Sequence, residues 1–243
     1  MQIDTERLAT IKTLYSGAHD PNGKMCVMEA VAYVAREPWS DHPACVSPVI
    51  AAFARAWNDG LPDAERNSLL LPMIPKFVDT VGSAALENRR ATMAADWLVR
   101  VHTPAWLRLA GLTVHADALA NLSEITDFAK APALMPALKA AKKDAVAAWD
   151  AAWDAARAAA RAAAWDAAAD AAWAAAWDAA RAAAGDAAGD AARAAAGAAA
   201  GDAAGDAAWA AARAAAGATL APTVKELQTS ALDLLSRMID AKD

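Results

Sequence analysis

Apolar side chains recur every three or four residues through the first 130 positions, the spacing of a helix face. No segment there alternates at period two between hairpin turns. Leu8, Ile11, Leu14 and Tyr15 share a first face, and Gly17 with Asp20-Pro21-Asn22-Gly23 supplies the turn that stops it. Met25, Met28, Val31, Ala32 and Ala35 form a second, ended by Glu37-Pro38 because the residue before proline disfavours the α region. Ser47-Pro48 reads as the N-cap and first residue of a third helix, which presents Val49, Ala52, Phe53, Ala56 and Trp57 and ends at Gly60. Pro62, Pro72 and Pro75 limit residues 63–81 to short helices. Leu86, Met93, Trp97 and Val101 stripe a long helix over 83–102, and Thr103-Pro104 starts a short one bearing Trp106, Leu107 and Leu109. The expected fold class is all-α.

From Trp149 the pattern changes. Every fourth residue is Trp, Arg or Gly, with Ala169 the exception, as far as Gly217; the next position is Asp or Ala, and the other two are Ala through Ala216. Seventeen copies of [Trp/Arg/Gly]-[Asp/Ala]-Ala-Ala follow without a slip of register. The genetic code offers a bland origin, since Trp, Arg and Gly codons can differ only in the first base and Asp and Ala codons only in the second. A drifting twelve-base repeat would produce this sequence, in preference to a selected ladder of ligands. Alanine is the best helix former and each glycine costs about 1 kcal/mol beside it, so 149–184 is expected to be strongly helical and 185–206 weaker. A four-residue period outruns the helical 3.6, so the Trp/Arg/Gly row drifts about 40° per unit and gives a straight helix no lasting apolar face. Such a helix would be roughly 100 Å long with bulky Trp side chains in solvent, which favours folding back or self-association over a bare spacer.

The remaining helix pattern runs from Val224 to Ile239, where Leu227, Ala231, Leu234, Leu235 and Met238 form one stripe that needs a partner surface. Three parts result: a helical domain over 1–130, the Ala-rich segment over 131–221 as one long helix or a helical hairpin, and an amphipathic helix over 222–243 expected to pack back on the first part.

Charge narrows the function classes. The 243 residues carry 23 Lys plus Arg against 29 Asp plus Glu, a net charge of −6, and only the repeat is clearly acidic, with five Arg and nine Asp over 149–217. A nucleic-acid binder or a protein held on anionic lipid would need the opposite sign, so neither partner is expected. Uncharged apolar runs fall short of the roughly 20 residues of a bilayer span, and Met1-Gln2-Ile3-Asp4-Thr5-Glu6-Arg7 has no basic or apolar leader pattern. With two Cys, the expectation is a cytoplasmic protein with reduced thiols.

One window is dense in chemistry: Cys26, Met28 and Glu29, then Glu37-Pro38-Trp39-Ser40-Asp41-His42-Pro43-Ala44-Cys45. A metal site would use Cys26, His42 and Cys45 with Asp41 or Glu37, although one H-x-x-C lacks the paired spacing of structural zinc sites. A Cys/His nucleophile would need thiolate activation and an oxyanion hole that nothing in the window specifies. A structural use has Ser40 and Asp41 bonding the loop backbone while both Cys pack inside. As a ligand-binding rim, Asp41 and His42 are the polar anchors, Trp39 the wall, Cys26 and Glu29 the floor, and Arg100 and His102 complete the pocket from the later helix. That helix carries a second cluster, Arg89, Arg90, Asp96, Trp97, Arg100 and His102, which reads as an anion or aromatic site or, more blandly, as a solvated face with local ion pairs. His19 and His115 have no evident partner. Walker, dinucleotide, H-E-x-x-H, EF-hand and G-x-S-x-G patterns are all missing, and no cofactor is implied.

The runs Met25-Cys26-Val27-Met28-Glu29-Ala30-Val31-Ala32-Tyr33-Val34, Glu37-Pro38-Trp39-Ser40-Asp41-His42-Pro43-Ala44-Cys45-Val46, Ala56-Trp57-Asn58-Asp59-Gly60 and Ala95-Asp96-Trp97-Leu98-Val99-Arg100-Val101-His102-Thr103-Pro104 resemble a family of hypothetical all-helical proteins. Its members come from bacteria, notably actinobacteria, and their phages, and some carry similar Ala-Trp-Asp tetrads. The resemblance implies a cytoplasmic or phage context and brings no activity with it. The expected function is therefore a non-enzymatic binding protein that holds a small polar ligand or a protein partner at the 39–45 loop and self-associates through the repeat. The alternative is an enzyme or metal-dependent protein using Cys26, His42, Cys45 and Asp41.

Overall fold

The computed structural model describes residues 3–17, 24–130, 133–148 and 217–243, and every regular element among them is helical, in keeping with the all-α reading. His19, the 20–23 turn and the repeat over 149–216 lie outside the described residues.

Helix α1, Thr5–Thr10, begins where the Asp4 carboxylate accepts the amides of Glu6 and Arg7 at 3.1 and 3.0 Å. It is shorter than its apolar pattern. From Ile11 the backbone is extended; Leu14 is buried with its amide donating to Asn67 Oδ1 at 2.7 Å, and the Tyr15 amide reaches the Met25 carbonyl at 2.9 Å. A single isolated turn has little helical stability of its own, so these tertiary hydrogen bonds decide the path.

Helix α2, Val27–Val34, is the hub. Val27, Met28, Ala30, Val31, Ala32 and Val34 are all buried, so it is enclosed on nearly every side, as a continuous apolar run requires. It packs on α1, on α3 (Pro48–Gly60) and on α5 (Ile74–Phe77). Proline does not end α2, as the sequence suggests. The helix closes two residues earlier in a Schellman motif: Arg36 takes the left-handed conformation at φ 60°, its amide donates to Tyr33 O, and the Glu37 amide donates to Ala32 O at 2.9 Å. The Arg36 guanidinium returns to Asp4 Oδ2 at 2.9 Å, tying this turn to the start of α1.

Ser47 caps α3 by accepting the Ile50 amide at 3.3 Å, with Pro48 in the first turn. The three later prolines divide the next stretch into α4 (Asp63–Leu70), a 3-10 turn (Leu71–Met73) and α5. Helix α6 spans Ala84–Trp97, capped by Ser83, and does not break before Pro104. It widens into a π turn, Leu98–His102, and continues as α7, Thr103–Leu109. The Thr103 amide reaches five residues back to Leu98 O, and its hydroxyl donates to the same carbonyl at 2.8 Å. The wide turn relieves the clash that a proline ring makes with the carbonyl four residues earlier. After Gly111, held at φ 76°, come α8 (Thr113–Ala120), a 3-10 turn (Phe128–Lys130) and helical segments over 133–148 and 217–240.

Two units divide the chain. The first comprises Met1–Ala105, Asp117–Met135 and Glu226–Asp243; the second comprises Trp106–Ala116 and Pro136–Lys225. In the first, the stripe Ala231, Leu234, Leu235 and Met238 joins Met28, Val31, Ile50, Leu70, Ile74 and Phe77 in one core. Its leucines and methionine contribute about 1.5–3 kcal/mol each when fully buried, enough to account for the stripe's place there. Two buried arginines, Arg66 and Arg90, run through this core bonded to backbone carbonyls. In the second unit Leu107, Ala116 and Ala141 are buried, and His115 has a partner after all: its Nε2 lies 2.7 Å from Asp144 Oδ2.

Candidate functional site

The loop after α2 is closed by a carboxylate. Glu37 accepts the amides of Ala44 at 2.6 Å and Cys45 at 2.9 Å, one on each oxygen, so the segment between them forms a fixed lobe. Within it, Ser40 Oγ accepts the His42 amide at 3.0 Å, and Arg55 of α3 donates to the Asp41 carbonyl at 2.8 Å. Pro43 and Cys45 are buried and Trp39 is half-buried, so the lobe is anchored from beneath.

Its tip is exposed. The Asp41 and His42 side chains retain 48% and 69% of their accessible surface, and Asp41 Oδ1 lies 2.6 Å from His42 Nδ1. Burial opposes ionisation of Asp41, but the hydrogen bond from His42 and the positive charges of His42 and Arg55 outweigh it and hold the carboxyl below its ordinary value. The pair fixes one imidazole nitrogen and leaves Nε2 with no hydrogen bond among the described residues. That nitrogen can give or take one hydrogen bond from a molecule arriving from solvent.

The other sequence candidates go elsewhere. Cys26 is the N-cap of α2, and Glu29 Oε2 accepts the Cys26 amide at 2.7 Å; both residues are buried. They form a helix cap inside the core, which is the position a floor for an open rim cannot have. Arg100 lies 2.8 Å from Asp96 Oδ1, out of line for a hydrogen bond, and its Nη1 donates to Leu122 O at 2.9 Å. Asp96 also accepts the Ile125 amide at 2.8 Å, so this pair pins the 122–125 segment to α6. His102 lies tilted against Trp97 with ring centres 5.1 Å apart, and Trp97 meets Phe53 edge-on at 5.7 Å and donates to Ser230 Oγ at 2.7 Å. Burial lowers the His102 pKa and favours its neutral form. Arg90 is a core residue and Arg89 an exposed one.

The metal reading built on Cys26, His42 and Cys45 does not assemble: among the described residues no three His, Cys, Asp or Glu side chains group as a metal site. Burial, reinforced by Glu29 at Cys26 and by Glu37 at Cys45, raises both thiol pKa values to about 12. With the protons held on both sulfurs near neutral pH, the activated thiolate that the Cys/His reading needs is missing. Native protein is therefore expected to leave iodoacetamide unreacted at pH 8, with both thiols alkylated once urea unfolds it. Mass spectrometry counts the adducts, and rapid native labelling of either Cys contradicts the burial.

Two residues that hold the lobe were not legible as such. From the sequence, Glu37 reads as the residue before proline that ends a helix or as a fourth metal ligand, and Arg55 has no reading at all. A carboxylate followed by proline and, seven and eight residues on, by small residues is the pattern of a loop closed on its own amides, but many loops share it. The described helices include none long and apolar enough to cross a membrane. No family model, curated protein or solved structure matches the chain.

Proposed function

We propose that this is a non-enzymatic binding protein whose recognition element is the tip of the 39–45 lobe, taking a small polar ligand or a protein partner. One observation supports the reading: Asp41 and His42 stay exposed while Glu37, Arg55 and Ser40 tie down the backbone around them. A surface pair held in one geometry loses little entropy on binding, which is the advantage of preorganisation. Trp39 adds apolar surface at the base of the same lobe. The raised thiol pKa values count against the rival reading in which Cys26 or Cys45 is the nucleophile beside His42 and Asp41.

The test compares the full chain with Asp41→Ala and His42→Ala by native mass spectrometry and thermal melting. Retention of a molecule by the parent and its loss from both variants, with stability changed by about 0.5 kcal/mol or less, is the expected outcome for exposed loop positions. A large fall in melting temperature, or equal retention by all three proteins, removes the assignment.

The repeat is proposed to drive self-association, because its four-residue period offers no lasting intrachain face for the Trp side chains while alanine surfaces allow close helix approach. Deleting 149–216 is expected to lower the mass measured by light scattering to that of a monomer. Equal monomeric masses for both proteins end this proposal.

A further inference from the structure

A cleft in the first unit is lined by four charges, three of which enter no ion pair among the described residues. It has a volume of about 630 Å³, well within the range of small-molecule sites, and lies among α6, residues 124–126 and the end of the 217–240 helix. Met93 and Ile125 supply its apolar lining, and Arg89, Arg237, Glu124 and Asp240 its charged one. Among the described residues Arg89, Glu124 and Asp240 enter no ion pair, and Arg237 pairs with Asp233 of its own helix at 2.9 Å. Two cations and two anions thus share one space without closing on each other.

We propose that this cleft binds a small zwitterion of the amino-acid or dipeptide class. The ligand's carboxylate faces Arg89 and Arg237, its ammonium faces Glu124 and Asp240, and its apolar side chain lies on Met93 and Ile125. Charge balance selects this class. A phosphate or sulfate dianion would be repelled by Glu124 and Asp240, and a dication by the two arginines. A purely apolar ligand would strip water from four charges and leave three of them with no partner. A zwitterion alone matches both signs, and guanidinium offers its carboxylate a two-pronged grip. The site is separate from the 39–45 lobe and does not depend on it.

Isothermal titration of the full chain with glycyl-leucine tests the proposal, beside N-acetylglycyl-leucine, which lacks the ammonium, and glycyl-leucinamide, which lacks the carboxylate. Saturable binding of glycyl-leucine is expected, with each capped probe weaker by about fivefold, the scale of one exposed ion pair. Arg89→Gln should erase the penalty for the amide probe, and Glu124→Gln the penalty for the acetylated one. Both positions are exposed, and circular dichroism checks that each variant keeps its helices. Absence of saturable heat for glycyl-leucine at millimolar concentration overturns the proposal. So does equal binding of the three probes, or an unchanged pattern in the two variants.

Discussion

Arg90→Met is expected to lower stability by about 3–5 kcal/mol, the cost of removing one partner from a buried ion pair. Arg90 is 1% exposed, and its guanidinium joins three parts of the first unit. Nε donates to Met238 O at 2.9 Å, Nη1 to Thr80 O at 2.5 Å and to Glu87 Oε1 at 2.7 Å, and Nη2 to Ala241 O at 3.4 Å. Met238 lies in the last turn of its helix, where carbonyls have no partner within the helix, so the arginine acts as its C-cap. Glu87, only 16% exposed, would keep the Gly82 amide and the Ser47 hydroxyl but lose its countercharge. Urea unfolding measures the loss, and hydrogen exchange should show amides 226–240 exchanging faster. Arg90→Lys should recover only part, because an ammonium cannot span the same acceptors. A loss below about 1 kcal/mol for Arg90→Met would mean that the clamp carries none of this weight.

Arg66→Met should cost less, about 2–4 kcal/mol, because it strands carbonyls and no buried countercharge. Arg66 is 3% exposed; it donates to Asn58 O at 2.7 Å, to Leu61 O at 2.5 Å and to Leu14 O at 3.4 Å. Its ionic partner, Asp63, is 88% exposed and readily solvated, so Asp63→Ala should change stability by less than about 1 kcal/mol. Asn58 continues the network: Oδ1 accepts the Val27 amide at 3.2 Å, and Nδ2 donates to Tyr15 O at 2.8 Å. Together these side chains hold the extended 11–16 segment against α3 and the start of α2. Arg66→Met and Asn58→Ala should therefore be non-additive in a double-mutant cycle, since they share this segment. Strict additivity would show that the two residues act independently.

The two clamps also mark where reading from sequence stops. Arg90 stands in a run with Arg89, Asp96 and Arg100, and by spacing alone all four are equally surface charges or ligand contacts. Which arginine turns inward depends on carbonyls at 80, 238 and 241, far away in the chain, and no local pattern encodes that. The same holds for Cys26 and Glu29. From the sequence they read as the floor of a pocket, or Cys26 as a small interior packer, and only the enclosure of α2 on nearly every side makes them a helix cap.

What the sequence by itself determined are the features whose energetics are local. Helical periodicity made the fold all-α; Ser47-Pro48 placed the start of α3, and Pro62, Pro72 and Pro75 kept the elements after it short, because caps and proline geometry act within one turn. The stripe of Ala231, Leu234, Leu235 and Met238 was legible as one that must be buried, since an amphipathic face in water is costly wherever its partner lies. Tertiary structure alone decided the rest. It bent residues 11–16 out of the first helix through Asn67 and Met25, turned the expected break at Pro104 into a π turn, and set Arg55 against Asp41. Each of these depends on hydrogen bonds or packing between distant segments, whose strength is set by burial and geometry that no window of sequence contains.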